Sequence, residues 1–115
     1  MGKPTVYIAG KITGDPDYKA KFKHAAEVLT SVGYTVLSPT ILPSEGFAYE
    51  AYMRMSYAML RECEAVCFLP SWMDSKGALR EFDQARRKNK AILNFVDMEI
   101  GEPRSQKAAP KGGGG

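Results

Sequence analysis

Residues 63–85 read CEAVCFLPSWMDSKGALREFDQA and hold a strand, a loop and a helix in one stretch. Ala65-Val66-Cys67-Phe68-Leu69 is a short unbroken apolar run stopped by Pro70, the pattern of a strand buried on both faces. Ser75 is a good N-cap for a helix expected from about Lys76 to Lys88. A buried strand that runs straight into a helix is the repeating unit of a parallel sheet.

Working outward, the same unit recurs. Thr5-Val6-Tyr7-Ile8-Ala9 is apolar and ends at Gly10. From Tyr18 to Val32, the residues Tyr18, Phe22, Ala25, Leu29 and Val32 fall three or four apart and mark one helix face, with Gly33 as the stop. Tyr34 to Ser38 gives a second short strand. After the loop TILPSEG, a methionine- and aromatic-rich helix is expected from about Phe47 to Arg61. Ala91-Ile92-Leu93-Asn94-Phe95-Val96 completes the set as a fourth strand. The alternation predicts an α/β fold: a Rossmann-like, flavodoxin-like three-layer sandwich around a parallel sheet of four to five strands, in the order 2-1-3-4. Ligands of such sheets sit at the C-terminal strand ends, where the strand order reverses. That directs attention to Gly10–Asp17 after the first strand and Pro70–Gly77 after the third.

Composition fits one folded domain over residues 1–102 and a flexible tail, PRSQKAAPKGGGG, over 103–115. The 115-residue chain is 44% apolar and 25% charged, which excludes a disordered chain or a coiled coil. Its net charge of +3 comes from the tail: all 13 acidic residues and 13 of the 16 basic ones precede position 103. A neutral folded part argues against a reader of duplex DNA or RNA, which carries its basic excess on a folded face. No apolar run reaches the ~20 residues of a membrane span, and MGKPTVYIAG lacks the form of a secretory signal. A cytoplasmic protein is expected. Cys63 and Cys67 match no common zinc spacing and read as small buried residues. His24, the only histidine, reads as a surface residue on a charged helix. No metal site is expected.

The two loops carry the chemistry. AGKITGDP places Gly10 and Gly14 four residues apart, and Lys11 and Thr13 offer a charge and a hydroxyl to a phosphate or a sugar. It is neither a Walker A loop nor a dinucleotide fingerprint. In the second loop, Ser75 and Gly77 stand at a helix start, where free N–H groups and the helix dipole favour an anion. Glu81 follows Gly77 by one turn on the same side. The spacing suits a nucleotide held by its 5′-phosphate with a carboxylate beneath the sugar; it equally suits an N-cap, a packing glycine and a solvent-facing glutamate. Trp72 either stacks on a base or covers the sheet end. The aromatic and methionine residues of the second helix read as core, with Tyr49 and Tyr52 the two best placed to reach the crevice.

VYIAGKITG, GYTVLSP and CEAVCFLPSWMDSKGALREFDQA together resemble the nucleoside 2-deoxyribosyltransferase-like superfamily, and most nearly its small DUF4406 branch, found in phages and prophages. The resemblance runs in order over about residues 5–96. It implies cleavage or exchange of the N-glycosidic bond of a deoxynucleoside or its 5′-monophosphate, without metal or organic cofactor. Glu81 stands where the family has its nucleophile. Ser75 and Gly77 match the positions that hold the 5′-phosphate in the monophosphate hydrolases. The Gly10–Gly14 loop (Gly10, Lys11, Ile12, Thr13, Gly14) matches the segment lining sugar and base, and Tyr7 and Trp72 count with it as candidate binding residues. A homo-oligomer, dimer or higher, is also implied, in the host cytoplasm if the protein is phage-encoded.

The chain departs from the family at one place. Active members carry an aspartate near the middle of the helix before the third strand, where this sequence reads Arg54-Met55-Ser56-Tyr57-Ala58. Asp74 is the candidate replacement acid, with Glu50 as the other. The departure leaves two functional readings: an enzyme with Glu81 as nucleophile, ionised near neutral pH with help from the helix start, or an inactive protein that binds and sequesters a nucleotide.

Overall fold

Alternate residues of the first strand point to opposite faces of the sheet, and both faces are covered. In the computed structural model, which describes residues 2–99, β1 (Thr5–Ala9) sends Val6 and Ile8 to one side and Tyr7 and Ala9 to the other. The tail expected over 103–115 lies outside the described residues. The remaining elements are α1 (Tyr18–Ser31), β2 (Thr35–Leu37), α2 (Tyr49–Arg61), β3 (Ala65–Phe68), α3 (Lys76–Arg87), β4 (Ala91–Asn94) and α4 (Phe95–Glu99). Short 3-10 turns at Pro39–Ile41 and Trp72–Asp74 precede α2 and α3.

The sheet has four parallel strands in the order β2-β1-β3-β4, as expected. Val6 lies opposite both Val36 and Ala65, and Cys67 is paired with Ile8 and Leu93. The two central strands are almost wholly buried, whereas the edge strands are not. On one face, Val6, Ile8, Ala65 and Cys67 pack against Phe22, Ala25 and Leu29 of α1 and Phe95 of α4. On the other, Tyr7, Ala9, Val66 and Phe68 pack against Leu60 of α2 and Ala85 of α3. Each fully buried large side chain contributes roughly 1.5–3 kcal/mol, so this double-sided core accounts for the fold without disulfides. Cys63 and Cys67 are buried free thiols, and burial pushes the Cys67 thiol up to about 12. His24 is exposed on α1, its ring edge-on to Phe95 with centroids 5.7 Å apart.

Element ends differ from expectation in ways that packing explains. β4 stops at Asn94, and Phe95 and Val96 belong to α4. As an edge strand β4 gives its side chains little burial, while coiling back places Phe95 in the α1-side core at 4% exposure. Val32 caps the end of α1 and is exposed instead of completing the apolar face. The turn that follows needs Gly33, at φ +106°, and closes with the Tyr34 N–H donating to the Leu29 carbonyl at 3.0 Å. α2 starts at Tyr49, because Ala48 still has extended backbone.

Gly10 ends β1 where β1 and β3 press together: a Cβ built there would lie 3.1–3.2 Å from three Leu69 side-chain atoms. That crowding predicts that Gly10→Ala lowers stability by about 1–3 kcal/mol, read as an earlier midpoint in urea. An unchanged midpoint would show that Leu69 gives way freely.

Candidate active site

The inward stripe of α3 is Ala78, Glu81 and Ala85. Two alanines flank a carboxylate that is only 6% exposed, and a charge so placed needs partners. Tyr7, wholly buried on the facing side of β1, donates its hydroxyl to Glu81 Oε2 at 2.6 Å. Ser56 of α2, 6% exposed, brings a second hydroxyl against the same pair. Burial pushes the Glu81 carboxyl up to about 7, against the pull of the two hydroxyls, which favour the ionised form. Burial and the neighbouring carboxylate push the Tyr7 phenol well above its ordinary value, so it stays protonated and keeps donating. The sequence leads to a Glu81 ionised near neutral pH with help from the helix start; in the structure burial works against that ionisation, and the Tyr7 and Ser56 hydroxyls support it.

Glu81 and Ser56 line a cavity of about 500 Å³ at the C-terminal ends of β1 and β3. Gly10–Thr13 from the first loop and Asp74–Ala78 from the second form part of its wall, as the topology predicts. Ser75 caps α3 by accepting the Ala78 N–H at 3.1 Å. Gly77 opens the first turn of α3 to the cavity: a Cβ there would be 3.5 Å from Met53 Sδ and 3.6 Å from the Tyr49 hydroxyl. A side chain would thus fit sterically while filling the space that glycine leaves.

The structure gathers Gly10, Lys11, Ile12, Thr13, Asp74, Ser75, Gly77 and Glu81 around this cavity. Three other candidates stand elsewhere. Trp72 lies against Phe68 and stacks on Phe82 at 4.9 Å and 27°, so it covers the end of the sheet and leaves the cavity wall to others. Gly14 serves the turn, at φ +85°. Tyr7 lies beneath Glu81 and outside the cavity lining. Glu50, the alternative acid, is held by Arg80 on the outer surface and does not line the cavity.

Other lining residues were not legible as such. Tyr49 and Tyr52 reach the cavity as expected, but so do Met53, which reads as core, Ser56, from the stretch that lacks the family's aspartate, and Tyr18 from α1. Leu42, Pro43 and Ser44, from the loop before α2, add a wall that neither of the two expected loops provides. For Ser56 one signal existed: it lies three residues after Met53 and four before Leu60, a lone hydroxyl in a buried stripe.

A profile of the family described as Domain of unknown function (DUF4406) matches residues 4–94. The chain belongs to this family. No curated protein sequence matches the chain. Among solved structures, a 2-desoxiribosyltransferase from Leishmania mexicana is 24% identical with a TM-score of 0.62, over 79% of this chain and 63% of that one. The likeness shows a shared fold, and this DUF4406 chain spans less than two thirds of that structure's length.

The burial of Glu81 has a thermodynamic signature. Its carboxyl is raised from 4.5 to about 7 on folding, so between those values the folded chain binds more protons than the unfolded one. Stability contributed by this group is full below about pH 4.5, falls as pH rises to about 7, and is constant above. Glu81→Gln removes the effect. The stability of the variant relative to the native chain should rise by about 3 kcal/mol from pH 4 to pH 8; a pH-independent difference would show that folding leaves the Glu81 carboxyl at its ordinary value.

Proposed function

We propose that this DUF4406 chain cleaves or exchanges the N-glycosidic bond of a deoxynucleoside 5′-monophosphate, with Glu81 as nucleophile. The observation that carries the reading is the buried carboxylate itself. Tyr7 holds Glu81 at the wall of a nucleotide-sized cavity, one helical turn from a glycine-opened helix start.

In this reading the 5′-phosphate rests on Ser75 and Gly77, where backbone N–H groups and the helix dipole favour an anion. Gly10, Lys11, Ile12 and Thr13 face sugar and base. The C–N bond breaks through an oxocarbenium-like state as Glu81 forms a bond to the anomeric carbon. The bonding pair leaves with the base, which takes a proton from Asp74 or from water. Water then adds to the anomeric carbon and frees Glu81, completing a hydrolase; a second base in place of water completes a transferase. Tyr7 and Ser56 act as positioning residues that keep the carboxylate aimed and partly ionised. Neither route calls on a metal or an organic cofactor. Assembly as a homo-oligomer in the cytoplasm belongs to the same proposal.

A second reading, a nucleotide-sequestering protein without turnover, is favoured by Ser56, a hydroxyl rather than a second carboxylate facing Glu81.

Chromatography of the four common deoxynucleosides and their 5′-monophosphates after incubation with the protein separates the two. The native chain should release free base from a monophosphate, faster as pH rises through about 7 and Glu81 ionises. Glu81→Gln should abolish release while keeping nucleotide affinity within about tenfold, ~1.4 kcal/mol. Gly77→Asp should lose monophosphate binding through bulk and charge repulsion. A chain that binds nucleotide and releases no base is the sequestering protein.

A further inference from the structure

Outside the cavity, one side chain clamps α2 to α3. Arg80, next to Glu81 in sequence, gives its terminal nitrogens to the two Glu50 carboxylate oxygens at 2.9 and 3.0 Å. Its Nε–H donates to the Tyr57 hydroxyl at 3.0 Å. The guanidinium also lies over the rings of Tyr49 and Tyr57, 5.5 and 5.7 Å from their centroids. Every one of these partners belongs to α2. A planar fork suits such bidentate, ring-flanked contacts, and a lysine cannot reproduce them. Exposed ion pairs add little to stability, so the effect of this arrangement is chiefly geometric: it holds α2, its first turn included, against α3.

That first turn presents Tyr49 to the cavity. Tyr49 lines it, and its hydroxyl lies 3.6 Å from the point a Cβ would occupy on Gly77. A group seated against Gly77 therefore meets backbone on one side and the Tyr49 hydroxyl on the other. Arg80 does not line the cavity; its guanidinium is turned to Glu50, Tyr57 and the Tyr49 side chain itself.

We infer that Tyr49 is a specificity-determining residue that donates a hydrogen bond to an anionic ligand oxygen at the start of α3, with Arg80 as the positioning residue that holds it there. The inference rests on the functional reading above, which makes that oxygen part of a 5′-phosphate. It adds a donor from α2 that distinguishes a deoxynucleoside monophosphate from the unphosphorylated deoxynucleoside.

Calorimetry with each of the four common deoxynucleosides and its 5′-monophosphate tests this, read as the ratio of the two affinities. Tyr49→Phe should lower the ratio about tenfold. Glu50→Ala and Arg80→Met should lower it similarly, although neither side chain lines the cavity, and Arg80→Lys should not restore it. The double variant Tyr49→Phe with Arg80→Met should be no worse than Tyr49→Phe alone, because Arg80 acts through Tyr49. A purely structural Arg80 would lower the melting temperature and weaken both ligands together, leaving the ratio intact. An unchanged ratio in Tyr49→Phe, or additive losses in the double variant, overturns the inference while native-chain turnover leaves the functional reading standing. A native chain that binds no member of any pair overturns both.

Discussion

The hydrogen bond from Tyr7 to Glu81 joins the centre of the sheet to the third helix, and much of the molecule is arranged around it. An ionisable carboxyl at 6% exposure is costly to bury unless hydrogen-bonded. The chain meets that demand from three elements at once. A tyrosine interrupts the aliphatic pattern of β1, a serine interrupts the apolar stripe of α2, and alanines on α3 leave room for the glutamate between them. A carboxyl held in this way is poised between its two protonation states near neutral pH, a property that an exposed surface glutamate does not have.

Sheet order supplies the rest of the site. β1 and β3 are neighbours, but their following connections lead to opposite faces, α1 beneath one and α3 on the other. The crevice opens between them, at the reversal point where parallel sheets bind ligands. Gly10 allows the two strand ends to close up against Leu69, and Gly77 leaves the helix start uncovered. One glycine thus serves packing and the other serves access, although the sequence presents them alike.

Much of this was legible before the structure. The elements, the cap at Ser75 and the shared side of Gly77 and Glu81 follow from short-range periodicity and turn chemistry, which act over a few residues; the strand order and the two crevice loops follow from the common order of open parallel sheets. What was not legible depends on contacts between distant segments. Tyr7 and Glu81 are 74 residues apart, and nothing local to Tyr7 marks it as the partner of a carboxylate. Trp72 had two readings until Phe68 and Phe82 were seen to enclose it. The loop at Leu42–Ser44 carries no chemical signal and becomes part of the site only because α2 folds back beside it. Phe95 reads as strand because it continues an apolar run, whereas in the fold it starts α4 and packs into the α1-side core.

The central claim, that Glu81 attacks the sugar, is tested most directly by trapping. A 2′-fluorinated deoxynucleoside 5′-monophosphate slows both the formation and the breakdown of a glycosyl intermediate, because the fluorine destabilises positive charge at the anomeric carbon. Intact-protein mass spectrometry after incubation, followed by peptide mapping, should find the fluorosugar phosphate attached to Glu81 with free base released in equal amount. Base release with no adduct, or an adduct on any other residue, would contradict the account.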